Sequence, residues 1–249
     1  MQDLTLVTTS FNTPQVIFTL LTSFAKYHIH EGDFKQRLLL YENSTNDLTQ
    51  KVLDHHEVPY IKQPNGRHHF SIERALQECT TRYALVVDSD IIFRRSIEPI
   101  FEMFKANGSA ALGHVVASRY DYNLFPRVQP WFMFLDLQQI RAKDIHYTDW
   151  DKIKATGSEG FFKVPPIPPP SDRFLYDVGA TFYADMVNKD LKVYSWLGDP
   201  KYYTHLEGMS WRSLVKDKTA VDATKVTNAY WAEYSKNLMK LSIKGIYEA

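Results

Sequence analysis

Apolar residues in the first hundred positions recur with two periods, one typical of strands and one typical of helices. Three β-rich segments predict strands: DLTLVTTSF at 3–11, RLLLYEN at 37–43 and VPYIKQ at 58–63. A fourth segment, YALVVDSD at 83–90, begins as a continuous apolar run. Such a run is typical of a strand that is buried on both faces of a parallel sheet.

Helical signals separate these strands, each with a capping residue followed by apolar positions at helical spacing. The expected caps are Thr13 (with Pro14 at the first helical position), Thr45 or Asn46, and Ser71 before a helix from Ile72 to about Cys79. The apolar faces consist of Val16, Leu20, Leu21 and Phe24 in the first helix and Leu48, Val52 and Leu53 in the second.

The alternation predicts an α/β fold: a mixed, mostly parallel sheet with helices on both faces. The second half is less regular. Its expected elements are a helix from Ser96 to Phe104, strands at 109–117 and 131–137, a helix at 177–190, a strand at 191–197 and an amphipathic helix from Thr224. Residues 141–173 read as irregular, with an extended proline-rich surface segment, VPPIPPP, at 164–170. No internal repeat or linker divides the chain, so we expect one domain over 1–249.

Composition narrows the class of protein. The 249 residues include 29 basic and 29 acidic side chains, a balance that argues against a general nucleic-acid binder. A single cysteine, Cys79, excludes an intramolecular disulfide and a cysteine-based zinc site. The N-terminal residues lack the pattern of a signal peptide, and no apolar run is long enough to span a bilayer. We therefore expect a cytoplasmic protein without a transmembrane segment.

Asp88 and Asp90 stand at the carboxyl end of the buried fourth strand. In a parallel sheet this end faces the ligand crevice, so the two carboxylates are expected to lie beside a ligand. Two such carboxylates are hard oxygen ligands suited to Mg²⁺ or Mn²⁺ bridged to a diphosphate. Two alternatives stay open at this point. In the first, both aspartates are solvated at a strand end, and in the second, they belong to a phosphatase that forms an aspartyl-phosphate. The bulky Ile91 and Ile92 stand where such phosphatases carry small polar residues.

Three segments together resemble the glycosyltransferases of the GT-A fold, and most closely glycosyltransferase family 2. LVTTSFNTPQVIFTLLTSF at 6–24 is similar to the family's first strand, Thr-x-x-Asn-type turn and helix. ENSTNDLT at 42–49 is similar to its nucleotide-contacting stretch, Asp-Asn-x-Ser-x-Asp-x-Thr, with Glu42 in place of the first Asp. VVDSD at 86–90 matches its Asp-x-Asp. The order and spacing of the three are more specific than any one of them.

The resemblance implies a donor site. The nucleotide-sugar-binding residues would be Thr9, Phe11, Asn12, Glu42, Asn65, Arg67, His68, Asp88 and Ser89. Asp88 would contact the ribose or a metal-bound water, and Asp90 would ligate Mn²⁺ or Mg²⁺ directly. Family members often bring a late histidine to the metal, and His205, in what reads as a loop, is the candidate third ligand. Arg74 or Arg212 would assist near the sugar or the departing diphosphate.

The resemblance also implies an inverting transfer in which a carboxylate takes the proton of the acceptor hydroxyl. Asp177, at an expected helix start, is the first candidate for this base, and Asp172 the second. Glu159 and Glu207 are further candidates, because the family's usual Glu-Asp pair is absent. Helix capping is the structural alternative for Asp177.

The expected partners are a nucleoside-diphosphate sugar donor and a carbohydrate or lipid-linked acceptor, as in polysaccharide biosynthesis. Residues 1–110 would bind the donor, and 111–223 the acceptor with Trp131, Phe161 and Phe162 as stacking surfaces. The helix at 224–249 would permit peripheral membrane contact. The chief alternative from another class is a non-catalytic relative that binds a nucleotide sugar or glycan. A sugar nucleotidyltransferase is disfavoured because the first strand has no glycine-rich loop.

Overall fold

The structure is a computed structural model that describes residues 3–28, 37–45, 47–63, 68–119, 122–148 and 179–206. Its strands are β1 (Leu4–Ser10), β2 (Leu38–Glu42), β3 (Ile61–Lys62), β4 (Tyr83–Asp88), β5 (Ile91–Phe93), β6 (Ala111–Arg119), β7 (Tyr122–Asp136), β8 (Val193–Ser195) and β9 (Tyr203–His205). Its helices are α1 (Pro14–His28), α2 (Leu48–His55), α3 (His68–Glu78), α4 (Glu98–Asn107), α5 (Leu137–Ala142) and α6 (Ala180–Asn188).

Seven of these strands form one sheet in the order β3-β2-β1-β4-β7-β6-β8. The pairs β1–β2, β2–β3 and β6–β8 are parallel, and β6–β7 is antiparallel. All seven residues of β1 are buried, and so are the first five of β4, as expected for strands covered on both faces. The predicted α/β fold with a mixed, mostly parallel sheet is confirmed.

The described residues fall into two compact units. The first draws on Met1–His68, Val87–Pro99 and Asp199–Ala249, and the second on His69–Val86 and Ile100–Gly198. The expected single domain, with functional parts divided at residues 110 and 223, stays a prediction.

In the first unit, parallel pairing brings the ends of β1 and β2 side by side. Thr9 lies opposite Tyr41, and Ser10 lies opposite Glu42. The pairing continues one residue further, because Asn43 N donates to Ser10 O at 2.9 Å. The loops that follow the two strands therefore begin next to each other at the carboxyl edge of the sheet.

Helix α1 begins at Pro14, as predicted, but its cap differs from the expectation. The Thr13 carbonyl accepts from Ile17 N at 3.0 Å, whereas Thr13 Oγ1 has no hydrogen-bond partner among the described residues. All residues from Val16 to Ala25 are buried, so the helix is covered on every side and not on one stripe alone. Its buried hydroxyls are satisfied locally, since Thr22 and Ser23 donate to the carbonyls of Phe18 and Leu20.

A short antiparallel ribbon forms a second sheet in the first unit. Its strands are β5 and β9, with Ile91 opposite His205 and Phe93 opposite Tyr203. Leu206 N donates to Asp90 O at 3.0 Å and extends the pairing past the end of the ribbon. Neither strand was expected from the sequence: His205, predicted in a loop, lies on β9. Each strand has three residues, too few for an alternating pattern to show.

The core of the second unit is largely aromatic. Phe101 and Phe104 stack on Phe134 with ring centroids 5.6 and 5.7 Å apart, and Tyr83 meets Phe101 edge-on at 5.2 Å. These rings come from α4, β7 and β4, so one cluster holds a helix against two strands of the sheet.

The helices α3 and α6 begin at residues other than those predicted. Helix α3 begins at His68 and not after Ser71, which is fully buried inside the helix. An N-cap contributes only about 1 kcal/mol, and packing overrides it here. Helix α6 begins at Ala180, after Gly179 in a left-handed conformation (φ 85°).

Among the described residues, no helix is long and apolar enough to cross a membrane. The proline-rich segment and the predicted tail helix from Thr224 lie outside those residues.

Candidate metal and nucleotide site

The two aspartates follow one another through a turn in the first unit. Asp88 is the last residue of β4 and is half-buried, whereas Asp90 occupies the turn before β5 and is only 4% exposed. Ser89 between them is buried as well. A carboxylate as deeply buried as that of Asp90 requires hydrogen bonds or a nearby positive charge to remain ionised.

The β5–β9 ribbon supplies a basic side chain at this position. Asp90 precedes β5 directly, and His205 is the last residue of β9, so the antiparallel register sets them side by side. Oδ1 of Asp90 lies 3.2 Å from Nε2 of His205. Both atoms are buried.

Asp88, Asp90 and His205 together have the composition of a divalent-cation site. One ligand atom from each lies within 4.8 Å of the others. Adjacent ligands of an octahedral Mg²⁺ are about 3.0 Å apart, given bonds of about 2.1 Å. The 3.2 Å pair of Asp90 and His205 fits such adjacent positions. Two carboxylates and one imidazole suit Mn²⁺ as well as Mg²⁺, so the residues present fit either ion.

His68 approaches the other carboxylate. Its Nε2 lies 3.3 Å from Oδ1 of Asp88, and both side chains are about one-third exposed. The contact restrains the Asp88 carboxylate. His68 was expected at the sugar or diphosphate, and the structure places it against Asp88.

Asn12 joins the loops that follow β1 and β2. Its amide Oδ1 accepts from Thr45 N at 3.1 Å, and its Nδ2 donates to Thr45 Oγ1 at 3.0 Å. Its backbone N donates to Ser44 Oγ at 2.7 Å. Asn12 has a φ of 53°, a left-handed conformation that asparagine tolerates better than most residues. Both loops are thereby fixed at the carboxyl edge of the sheet.

Glu42 lies beneath these loops and has no exposed surface. Oε1 accepts from Ser44 N and Oε2 accepts from Gln50 Nε2, both at 2.8 Å. The carboxylate therefore holds the Ser44 loop from inside. The expected contact of Glu42 with the base or ribose stays a prediction. The sequence does not indicate that Glu42 is buried. A Glu in place of the family's first Asp keeps a carboxylate acceptor, so the change predicts no new position for the side chain.

These features belong to a chain whose residues 5–160 match a family model described as Glycosyl transferase family 2. The chain belongs to that family. The match confirms the resemblance drawn from the sequence. It also argues against the phosphatase as an alternative.

Solved structures agree with this family 2 assignment at the level of the fold. S. aureus TarS 1-349 is 14% identical, with a TM-score of 0.50 over 85% of this chain and 63% of that chain. This chain thus spans less than two thirds of the length of that relative.

Two more solved structures have a TM-score of 0.48 and 12% identity. They are the mannosyltransferase PcManGT from Pyrobaculum calidifontis with GDP-Man and Mn²⁺, and a 4-diphosphocytidyl-2C-methyl-D-erythritol synthase from Anaerococcus prevotii. The match to the mannosyltransferase covers 84% of this chain and 59% of that chain. The match to the synthase covers 92% of this chain and 96% of that chain. No curated protein matches the sequence significantly.

The remaining predicted residues of the family 2 enzyme divide into two groups. Thr9 is buried at the end of β1, Phe11 is half-buried in the loop after it, Arg74 pairs with Glu78 on α3, and Trp131 meets His114 edge-on at 6.0 Å. The others lie outside the described residues: Asn65, Arg67, Glu159, Phe161, Phe162, Asp172, Asp177, Glu207 and Arg212. Their roles stay predictions.

Proposed function

We propose that the chain is a metal-dependent, inverting glycosyltransferase that moves a sugar from a nucleoside-diphosphate donor to a carbohydrate or lipid-linked acceptor. Family membership supports glycosyl transfer. The cluster of Asp88, Asp90 and His205 is the observation that carries the metal dependence. The stereochemistry and the substrates rest on the family pattern in the sequence.

Asp90 and His205 would hold Mn²⁺ or Mg²⁺ directly, and Asp88 would do so itself or through a water or the ribose. The bound ion would supply a Lewis acid for the diphosphate that leaves. His68, at 3.3 Å from Asp88, would limit the rotation of that carboxylate. A ligand set fixed before the donor arrives needs less ordering when the donor binds.

The nucleoside would lie against the loops after β1 and β2. Asn12 and the buried Glu42 hold these loops through Ser44 and Thr45. In this proposal both residues shape the nucleoside surface, and Glu42 does so without touching the ligand.

The proposed reaction is a single displacement. The acceptor oxygen forms a bond to the anomeric carbon while the bond from that carbon to the phosphate oxygen breaks. The electron pair of the broken bond leaves with the nucleoside diphosphate, and the acceptor proton passes to a carboxylate. Asp177 is the first proposed base and Asp172 the second. The cytoplasmic location and peripheral membrane contact stay predictions as well.

Nucleotide release from a panel of UDP-, GDP- and dTDP-sugars tests the proposal, with Mn²⁺ or EDTA and with Asp90→Asn. We expect release from the sugars of one nucleotide, lost with EDTA and in the variant. Asp190→Asn is the matched control, because Asp190 is exposed and its positive φ of 58° suits asparagine. Release that survives EDTA, or that Asp90→Asn leaves intact, would overturn the metal-dependent mechanism.

A further inference from the structure

The ribbon that carries two of the candidate ligands depends on α1 for its position. β5 pairs with β9 on one edge only. In an antiparallel pair alternate N–H groups point to opposite edges, so part of β5 requires acceptors outside the ribbon. Arg94 N donates to Tyr202 O at 2.7 Å, which places the N–H of the preceding residue, Phe93, on the edge away from β9.

Ser23 of α1 provides the acceptor for this amide. Phe93 N donates to Ser23 Oγ at 3.0 Å, and the Ser23 hydroxyl itself donates to Leu20 O at 2.9 Å. Ser23 and Phe93 are both fully buried. A hydroxyl whose proton is committed to a carbonyl of its own helix presents a lone pair in a fixed direction, so the strand is located by that bond.

Further contacts join the ribbon to the same helix. The Phe93 ring meets Phe24 and His28, each at a centroid distance of 5.2 Å. His28 Nε2 accepts from Ile97 N at 2.9 Å, and its Nδ1 donates to Phe24 O at 2.8 Å. At the other end of the ribbon, Leu206 packs against Val16. Both strands are therefore held by residues of α1, beside the turn that contains Asp90.

We infer that Ser23 is a positioning residue for the metal site. By holding Phe93 N, it fixes β5 and, through the β5–β9 register, the 3.2 Å relation of Asp90 and His205. Ser23 touches neither ligand. The inference rests on the proposed function, because it requires the cluster to bind a cation.

Mn²⁺ binding measured by electron paramagnetic resonance tests the inference without any need for turnover. In Ser23→Ala the Phe93 amide loses its acceptor, and we expect the Mn²⁺ dissociation constant to rise about tenfold, as for residues that support metal ligands. Thr22→Val is the matched control. Thr22 is also buried on α1, but its hydroxyl donates to Phe18 O and bonds to no described residue of the ribbon. We expect Thr22→Val to change the affinity less than twofold.

A second measurement uses the unaltered protein and does not depend on whether Ser23→Ala folds. Coupling between two sites is reciprocal. If the hydrogen bond from Phe93 N to Ser23 Oγ favours cation binding, a bound cation must in turn stabilise that hydrogen bond. We expect the Phe93 and Ile97 amides to exchange hydrogen at least about threefold more slowly when Mg²⁺ saturates the protein.

The outcomes separate this inference from the proposed function. A wild-type protein that binds neither ion contradicts the proposed metal site itself. If the wild type binds Mn²⁺ and the two variants Ser23→Ala and Thr22→Val have the same Mn²⁺ dissociation constant, only the role of Ser23 is contradicted. Unchanged amide exchange in saturating Mg²⁺ contradicts that role as well.

Discussion

Oδ1 of Asp90 lies 3.2 Å from Nε2 of His205, and the register of the β5–β9 ribbon creates this pair. The two residues are far apart in the sequence. Three paired residues on each strand bring the carboxylate and the imidazole to one point. In the proposed function, this pair holds the divalent cation at the donor site.

The imidazole should influence which cation binds. Carboxylate oxygens suit Mg²⁺, whereas an imidazole nitrogen favours later transition metals such as Co²⁺. His205→Asp is therefore expected to lower the preference for Co²⁺ over Mg²⁺ about tenfold while Mg²⁺ binding persists. Competition between the two ions, followed by Co²⁺ absorption, measures this ratio. Thr22→Val, which alters neither strand of the ribbon, is the control. An unchanged ratio in His205→Asp would remove His205 from the ligand set.

The Asn12 contacts should contribute to stability as well as to the loop shape. Asn12→Ala loses both side-chain bonds to Thr45 and places alanine at a φ of 53°, where a Cβ is costly. We expect a loss of about 1–3 kcal/mol in the free energy of unfolding, measured by urea denaturation. Asn12→Gly separates the two causes, since glycine removes the same bonds without the backbone strain. Equal stability of Asn12→Ala and the wild type would contradict this account.

Much of the fold could be predicted from the sequence, because a strand that is buried on both faces of the sheet appears as a continuous run of apolar residues. The run that ends at Asp88 predicts β4 and places the aspartates at the carboxyl edge of the sheet. Other features lack any such signal. β5 and β9 are too short for a period to show, and nothing local tells that the Ser23 hydroxyl accepts from Phe93 N.

The residues of the proposed donor site were likewise predictable only in part. The pattern around Asn12 and Glu42 correctly indicated the loops after β1 and β2, but not which atoms meet there. Glu42 reads as a ligand contact because the family has an acidic residue at this position, whereas in the structure its burial comes from Ser44 N and Gln50. These bonds depend on how the segment after β2 folds back over the Glu42 side chain, which the sequence pattern does not specify.

Asp136 should make the second unit sensitive to acid. It is buried, caps α5 through Gln138 N, and pairs with Arg82 at 2.9 Å. Burial alone would raise its pKa, but the hydrogen bonds from Arg82 and Gln139 hold the pKa below the ordinary 3.8. Because folding lowers the pKa of this carboxyl, it stabilises the protein at pH values above its unfolded-state pKa. That stabilisation is lost as the pH falls through the folded-state pKa.

Asp136→Asn tests this by removing the charge and little else. We expect a loss of about 1–3 kcal/mol in the free energy of unfolding at pH 7, because hydrogen bonds to a charged group are lost. The difference from the wild type should shrink as the pH falls below 3.8, where wild-type Asp136 also takes up a proton. Urea denaturation between pH 2 and pH 7, with Arg82→Met and the double variant, measures it. A difference that is independent of pH would show that the charge is not responsible.

His146 should titrate above the usual range for histidine. Its hydrogen bond to Glu73, with Nδ1 and Oε1 2.8 Å apart, raises its pKa above 6.5, against a smaller opposing effect of burial. Because the pKa is raised on folding, the stabilisation is complete below the unfolded-state pKa and is lost as the pH rises through the folded-state value. The ring is half-exposed, so the effect on stability should stay below about 1 kcal/mol.

An NMR titration of His146 measures this directly. Glu73→Gln is expected to lower the His146 pKa, whereas Glu78→Gln on the same helix should leave it unchanged, since Glu78 pairs with Arg74. A His146 pKa that does not respond to Glu73→Gln would contradict the pairing.

The central claim is that Asp90 helps to hold a cation on which donor binding depends. Calorimetric titration of the protein with UDP, GDP and dTDP, in Mn²⁺ and again in EDTA, tests it most directly when repeated with Asp90→Ala and with the control Asp190→Asn. We predict that one nucleotide binds in Mn²⁺, and that EDTA and Asp90→Ala each weaken its binding at least about tenfold while Asp190→Asn does not. Binding that is equally tight in EDTA, or in Asp90→Ala, would contradict the claim.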